Sequence, residues 1–156
     1  MTTVRAQASS GDRRRLLLDA TSIGAATGLR SAWGILAATV IGVQGQRRSR
    51  ALAVAGGAVV VEAVVDKLPA TPARTAPGPA ASRVLVAAAT AALLGRTARG
   101  ERVDALAVSL AAVAALTTTY GGREARRRYP SAMAAVVEDL AAATVTLSTL
   151  RRAHRL

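Results

Sequence analysis

Residues 105–119 read ALAVSLAAVAALTTT, and no charge follows until Arg123. A helix on the surface of a soluble protein shows a polar face at helical period. Here only Ser109, Thr117, Thr118 and Thr119 are available for water, and hydroxyls of this kind bond back to their own helix. The stretch therefore reads as a helix suited to apolar surroundings. The alternative is a soluble Ala-rich bundle, since the mean hydropathy of the chain is only +0.31. The missing polar face decides against it, and the expected fold is an all-α, polytopic transmembrane helix bundle.

Four further apolar segments surround this one, at about 20–43, 51–66, 82–95 and 131–150, with the quoted run inside a fifth at 103–120. Ala, Leu and Val dominate them, and the two-residue alternation of half-buried strands is missing, so each reads as helix. A bilayer core about 30 Å thick takes about 20 helical residues. The first, fourth and fifth segments approach that length. The second and third are short, which predicts about four to five apolar helices, with tilt, flanking extension or a broken or re-entrant middle pair to accommodate them. Between those two lies Leu68-Pro69-Ala70-Thr71-Pro72-Ala73-Arg74-Thr75-Ala76-Pro77-Gly78-Pro79, whose four prolines exclude a continuous helix. Domain bounds follow: a disordered basic lead-in at 1–18, a transmembrane domain at 19–150 and a basic tail at 151–156. Arg13-Arg14-Arg15 before Leu16-Leu17-Leu18 resembles a signal peptide, but Asp19 and Arg30 interrupt the run, and retention as an anchor is expected.

Composition narrows the chemistry. The 156 residues hold no Cys and no Phe, and the single His, His154, lies three residues from the end. Disulfide scaffolds, thiolate metal sites and histidine-based triads or metal clusters are thereby disfavoured. No phosphate loop, dinucleotide fingerprint or metalloprotease spacing occurs. The chain is expected not to be an enzyme and to need no cofactor or metal. Lys plus Arg number 21 against 9 Asp plus Glu, a net charge of +12. The basic residues sit between apolar segments, as in Arg47-Arg48-Ser49-Arg50 and Arg126-Arg127-Arg128, and the aromatics available for base stacking are Trp33, Tyr120 and Tyr129. Nucleic acid is therefore not an expected partner. Lys67 is the one lysine, so part of the surplus reflects an Arg- and Ala-rich codon bias. Five spans would place eleven basic residues on the side of the N-terminus and nine on the other, too even to set an orientation.

Ionisable residues inside apolar segments are the sharpest features, because burying one in hydrocarbon costs at least about 2.5–3.5 kcal/mol. They are Arg30, Glu62, Asp66, Lys67, Glu138 and Asp139. Glu62 and Asp66 are four residues apart and share a helical face. Arg30 is the expected partner of Glu62, and Lys67 and Arg74 of Asp66. Gly24 and Gly28 form a small-xxx-small pair that admits a second helix closely. The set reads as an intramembrane polar site or as charge pairs that fix helix packing. Val60-Val61-Glu62 and Val136-Val137-Glu138 hint at an internal repeat.

Three elements in order resemble a bacterial integral membrane family catalogued as domain of unknown function 4126. They are Gly28-Leu29-Arg30-Ser31, then Glu62-Ala63-Val64-Val65-Asp66-Lys67-Leu68-Pro69, then Pro130-Ser131 followed by Glu138-Asp139. The likeness spans about 22–148. The chain departs from it in its few aromatics, its Ala-biased interior and Tyr129-Pro130 where Asn-Pro is common. The resemblance implies a multi-helix protein of the bacterial inner membrane and implies no substrate. Two functions remain open: a transporter- or channel-like protein for a small ion or solute, or a non-catalytic scaffold or accessory subunit that binds a partner through small-residue faces. The lipid bilayer and further copies of the chain, as a homo-oligomer, are the other expected partners.

Overall fold

The computed structural model describes residues 10–65, 76–99, 103–129 and 132–153. They form six α-helices: α1 (Ser10–Leu29), α2 (Ser31–Gly42), α3 (Arg48–Val65), α4 (Pro77–Arg99), α5 (Ala105–Arg128) and α6 (Ala132–Ala153), with one 3-10 turn at Gly45–Arg47. No strand occurs among the described residues. Three helices are long and apolar enough to cross a membrane: Pro77–Thr97, Ala105–Arg128 and Met133–Ala153. They point to a membrane protein.

The expected first segment, 20–43, is two helices. Arg30 leaves the helical region at φ −147° and ψ 113°, closing α1 through its N–H to Ala26 O and opening α2 through its carbonyl. The chain doubles back there, because Gly34 lies against Thr27 of α1 instead of a further two turns away. The break thus falls in the first segment, not in the middle pair. Of that pair, the third segment lengthens at both ends into α4. Pro77 and Pro79 start that helix, where the first-turn N–H groups lack intrahelical partners and proline costs little. Part of the expected lead-in is helical. Residues 10–18 belong to α1, Leu16 is buried, and Arg13 pairs with Asp104. At the other end, Arg151 and Arg152 lie within α6.

Contacts fix the helix directions. Gly24 packs on Ala111 and Gly28 on Ala115, so α1 and α5 run the same way. Asp19 meets Arg152 and Arg30 meets Asp139, so α6 runs against α1. Glu62 near the end of α3 meets Ser31 and Ala32 at the start of α2. Gly34 and Gly42 meet Val86 and Leu93 in that order, so α2 and α4 run together. The helices therefore alternate in direction, with the starts of α1, α3 and α5 at one end of the bundle and those of α2, α4 and α6 at the other.

The interior is made of small residues. Ala20, Ala37, Ala87, Ala91, Ala107, Ala111 and Ala115 are buried, with Leu16, Ile23 and Leu94 as larger members. A Cβ on Gly24 would lie 2.6 Å from the Ala111 Cα, so α1 and α5 touch backbone to backbone. Thr hydroxyls bridge such close crossings. Thr118 reaches Ala25 O at 2.9 Å, Thr119 reaches Gly28 O at 3.0 Å, and Thr90 reaches Gly34 O at 3.2 Å. Large apolar side chains point outward instead, among them Val54, Leu85, Val113, Met133, Val137 and Leu140. Small residues within and large apolar ones without is the packing of helices in lipid, where burying Leu against a neighbour gains little over leaving it among acyl chains.

Candidate functional site

The reversal at Arg30 brings that residue together with charged residues of α3, α4, α5 and α6 at one end of the bundle. Arg30 is 2% exposed and forms an ion pair with Asp139 of α6. The first turn of α2 needs acceptors for its N–H groups, and Arg30, in the N-cap position, supplies no side-chain cap. Glu62 of α3 supplies them from outside the helix. Its Oε1 accepts from Ser31 N at 3.0 Å and Ser31 Oγ at 2.6 Å, and its Oε2 accepts from Ala32 N at 2.6 Å. A carboxylate there also complements the positive end of the helix dipole. Arg83 of α4 approaches Glu62 Oε1 at 3.8 Å. Beside these, Arg126 of α5 holds Glu138 of α6, with both Nε and Nη2 at 2.8 Å from Oε2.

Arg30 and Glu62, the expected pair, do lie together. With Asp139, Trp33, Val59 and Ala63 they line a cavity of about 90 Å³. The two are bound differently from expectation, however: Glu62 is taken up by the α2 N-terminus, while Arg30 pairs with the later acid Asp139. Glu138 and Asp139, adjacent in sequence, point to different arginines on different helices. Asp66, Lys67 and Arg74 lie outside the described residues, as do Pro130-Ser131. The small-xxx-small pair Gly24 and Gly28 does admit a helix closely, and that helix is α5 of the same chain. The Val-Val-Glu likeness is not matched in position: Glu62 lies near the end of α3 and Glu138 in the second turn of α6.

Depth is the main revision. Arg30 is central in the linear segment, but the reversal places it at the end of the bundle. A second layer of ion pairs closes the opposite end, where Arg13 meets Asp104 at 3.5 Å and Arg152 meets Asp19 at 2.9 Å. From Asp19 to Arg30, α1 rises about 16 Å at roughly 1.5 Å per residue. Between these layers α2, α4, α5 and α6 carry no charged residue. The charged cluster therefore borders this apolar band instead of lying at its centre, and the band is narrower than the roughly 30 Å of a bilayer core. Asp19, Arg83, Asp104, Arg126 and Arg152 belong to these layers and were not among the expected site residues. Asp104 carried a legible signal, since an Asp before an apolar run is an N-cap, and its Oδ1 accepts from Leu106 N and Ala107 N. Asp19 carried one too, as an acid interrupting an apolar run.

The donor set suits small polar ligands. The cavity presents a guanidinium, two carboxylates and an indole within room for a few water molecules or one small ion. Among the described residues no three His, Asp or Glu side chains come together to hold a metal. No family model, curated protein or solved structure matches the chain.

Proposed function

We propose that the chain is a small multi-pass protein of the bacterial inner membrane, of the family it resembles, in which the Arg30, Glu62 and Asp139 cavity admits a small ion or solute. It acts as a transporter- or channel-like protein, not as an enzyme, and uses no cofactor. Its partners are the bilayer, that solute and further copies of itself, with no role for nucleic acid. The observation that carries the reading is the helix reversal at Arg30, which turns the N-terminus of α2 toward an anionic side chain beside a cavity. Broken helices whose ends face a polar site recur in transporters because the freed backbone groups bind charge. Here Glu62 occupies that place, so exchange of its carboxylate for an anionic solute would free two N–H groups for binding. Reconstitution into liposomes with a reporter of monovalent-anion flux tests this. Flux above that of empty vesicles, lost in Asp139→Asn while the variant stays in the membrane fraction, is the expected result. Equal flux with and without protein overturns it.

A second reading, a scaffold or accessory subunit, is favoured by α3. Gly56 and Gly57 have nothing within 4 Å of where a Cβ would stand, and Val54, Val60, Val61 and Val64 are exposed beside them. A helix of another protein could pack there as α5 packs on Gly24 and Gly28. Under this reading Gly57→Leu releases a stoichiometric partner in mild detergent, and purification of the wild type without such a partner overturns it.

A further inference from the structure

The end of the bundle opposite the cavity is basic in a way that the even count along the sequence conceals. The reversal at Arg30 adds a helix, which moves the Arg47-Arg48-Ser49-Arg50 cluster to the same end as Arg13-Arg14-Arg15 and Arg151-Arg152. Arg14, Arg15, Arg47, Arg50, Arg96 and Arg151 are all exposed there. Among the described acids of that end Asp12 is exposed, whereas Asp19 and Asp104 have side chains only 6% and 7% exposed and are engaged by Arg152 and Arg13. Among the described residues the exposed arginines at the cavity end are Arg123, Arg127 and Arg128, and the last is held by Glu124 at 2.9 Å.

A shallow, open groove of about 430 Å³ runs along one face of α6 at the basic end, lined by Thr144, Leu147, Ser148, Arg151 and Arg152. Its chemistry changes with depth. Leu147 is 46% exposed, one turn before Arg151, and Thr144 and Ser148 place hydroxyls on the same face. Arg151 and Arg152 stand at the mouth, in the last turn of a helix long enough to cross a membrane. Arg152 is held in place by Asp19 and by Thr149, with Nη2 3.0 Å from the hydroxyl. Toward the end of α6 the lining thus runs Thr144, Leu147 and Ser148 and then Arg151 and Arg152, so that hydroxyls and an apolar side chain lie below the guanidinium groups as ester and acyl chain lie below the phosphate of a phospholipid.

We propose that this end is an anionic-phospholipid surface, with the groove between Thr144 and Arg152 of α6 as its headgroup site. It follows that both ends of the described chain lie on the cytoplasmic side, where basic residues are retained and anionic lipid attracts them. The inference rests on the membrane reading above but not on transport.

Native mass spectrometry of the full chain, from detergent containing equimolar phosphatidylglycerol and phosphatidylcholine of the same acyl chains, tests it. The phosphatidylglycerol adduct is expected to predominate. Arg151→Gln lowers it about fivefold, the loss of one basic residue near an anionic lipid, and Thr144→Leu lowers it by filling the groove without a change of charge. Arg123→Gln, at the cavity end, leaves it unchanged. Equal adducts of the two lipids, or an equal drop in Arg123→Gln and Arg151→Gln, overturns the proposal. Extraction of the chain by alkaline carbonate would sink the membrane reading as well, whereas a carbonate-resistant chain without lipid preference sinks this inference alone.

Discussion

Gly28→Ala tests the helix packing in a way that separates it from helix propensity. An added Cβ would fall on the Ala115 carbonyl oxygen and the Thr118 hydroxyl and lie 2.8 Å from the Ala115 carbonyl carbon. Backbone of α5 cannot rotate aside, so the whole helix must move. That puts the substitution at the upper end of the overpacking range, about 3 kcal/mol. The same displacement stretches the Thr118 and Thr119 bonds to α1 carbonyls, at about 0.6 kcal/mol each. Replacing a helical Gly with Ala returns about 1 kcal/mol. The net expectation is a loss of about 3 kcal/mol, roughly two orders of magnitude in the folding equilibrium. Gly57→Ala is the counterpart: with open space at its Cβ it keeps only the propensity gain and stabilises by up to about 1 kcal/mol. Unfolding of both variants in mixed micelles by SDS titration, followed by circular dichroism, measures the difference. If the two substitutions shift the midpoint in the same direction, the contact between α1 and α5 is not as described.

Three other substitutions probe the charged layers. Glu62→Ala removes the acceptor of Ser31 and Ala32 and should cost about 2–3 kcal/mol, the value of hydrogen bonds to a charged group, with exchange of α2 amides accelerating first. Asp139→Ala takes the carboxylate from a guanidinium that is 2% exposed and should cost about 3–5 kcal/mol in the same titration, whereas Arg30→Met with Asp139→Leu should recover most of it. If that double variant is stable yet loses flux, the pair serves function and not only packing. Asp104→Ala removes an N-cap and the partner of Arg13 together, and a loss of about 1–2 kcal/mol is expected in thermal unfolding in detergent.

Much of the helix inventory was legible because apolar runs broken by Arg, Pro and Gly mark helix ends regardless of surroundings. The fifth segment became α6 with little change, whereas α5 continues eight residues past the expected end of the fourth, through Gly121-Gly122 to Arg128. The reversal was not legible, because it depends on Glu62 reaching Ser31 and Ala32 across 30 or so positions. No local cap residue or proline marks Arg30 as a break. Reading 20–43 as one helix then misplaced Arg30 in depth and evened the charge count between the two sides. The identity of the site residues fared better than their pairing. An apolar run names which charges are costly, but partner choice between Glu62, Glu138 and Asp139 follows from helix directions that no local pattern encodes. The burial of alanine and exposure of valine was equally hidden, since helices apolar all round do not announce an inner face.

The alternation of six helices across an apolar band is the central claim, and single-cysteine accessibility tests it most directly in a chain with no native Cys. Cysteines at Ser49, Ala76, Val103 and Ala125 in intact cells, probed with a membrane-impermeant maleimide after carbonate extraction has shown membrane residence, report on the four connections that follow α2. The account predicts labelling of Ala76 and Ala125 from outside, with Ser49 and Val103 protected until the cells are opened. Ser49 and Val103 on opposite sides of the membrane would contradict it.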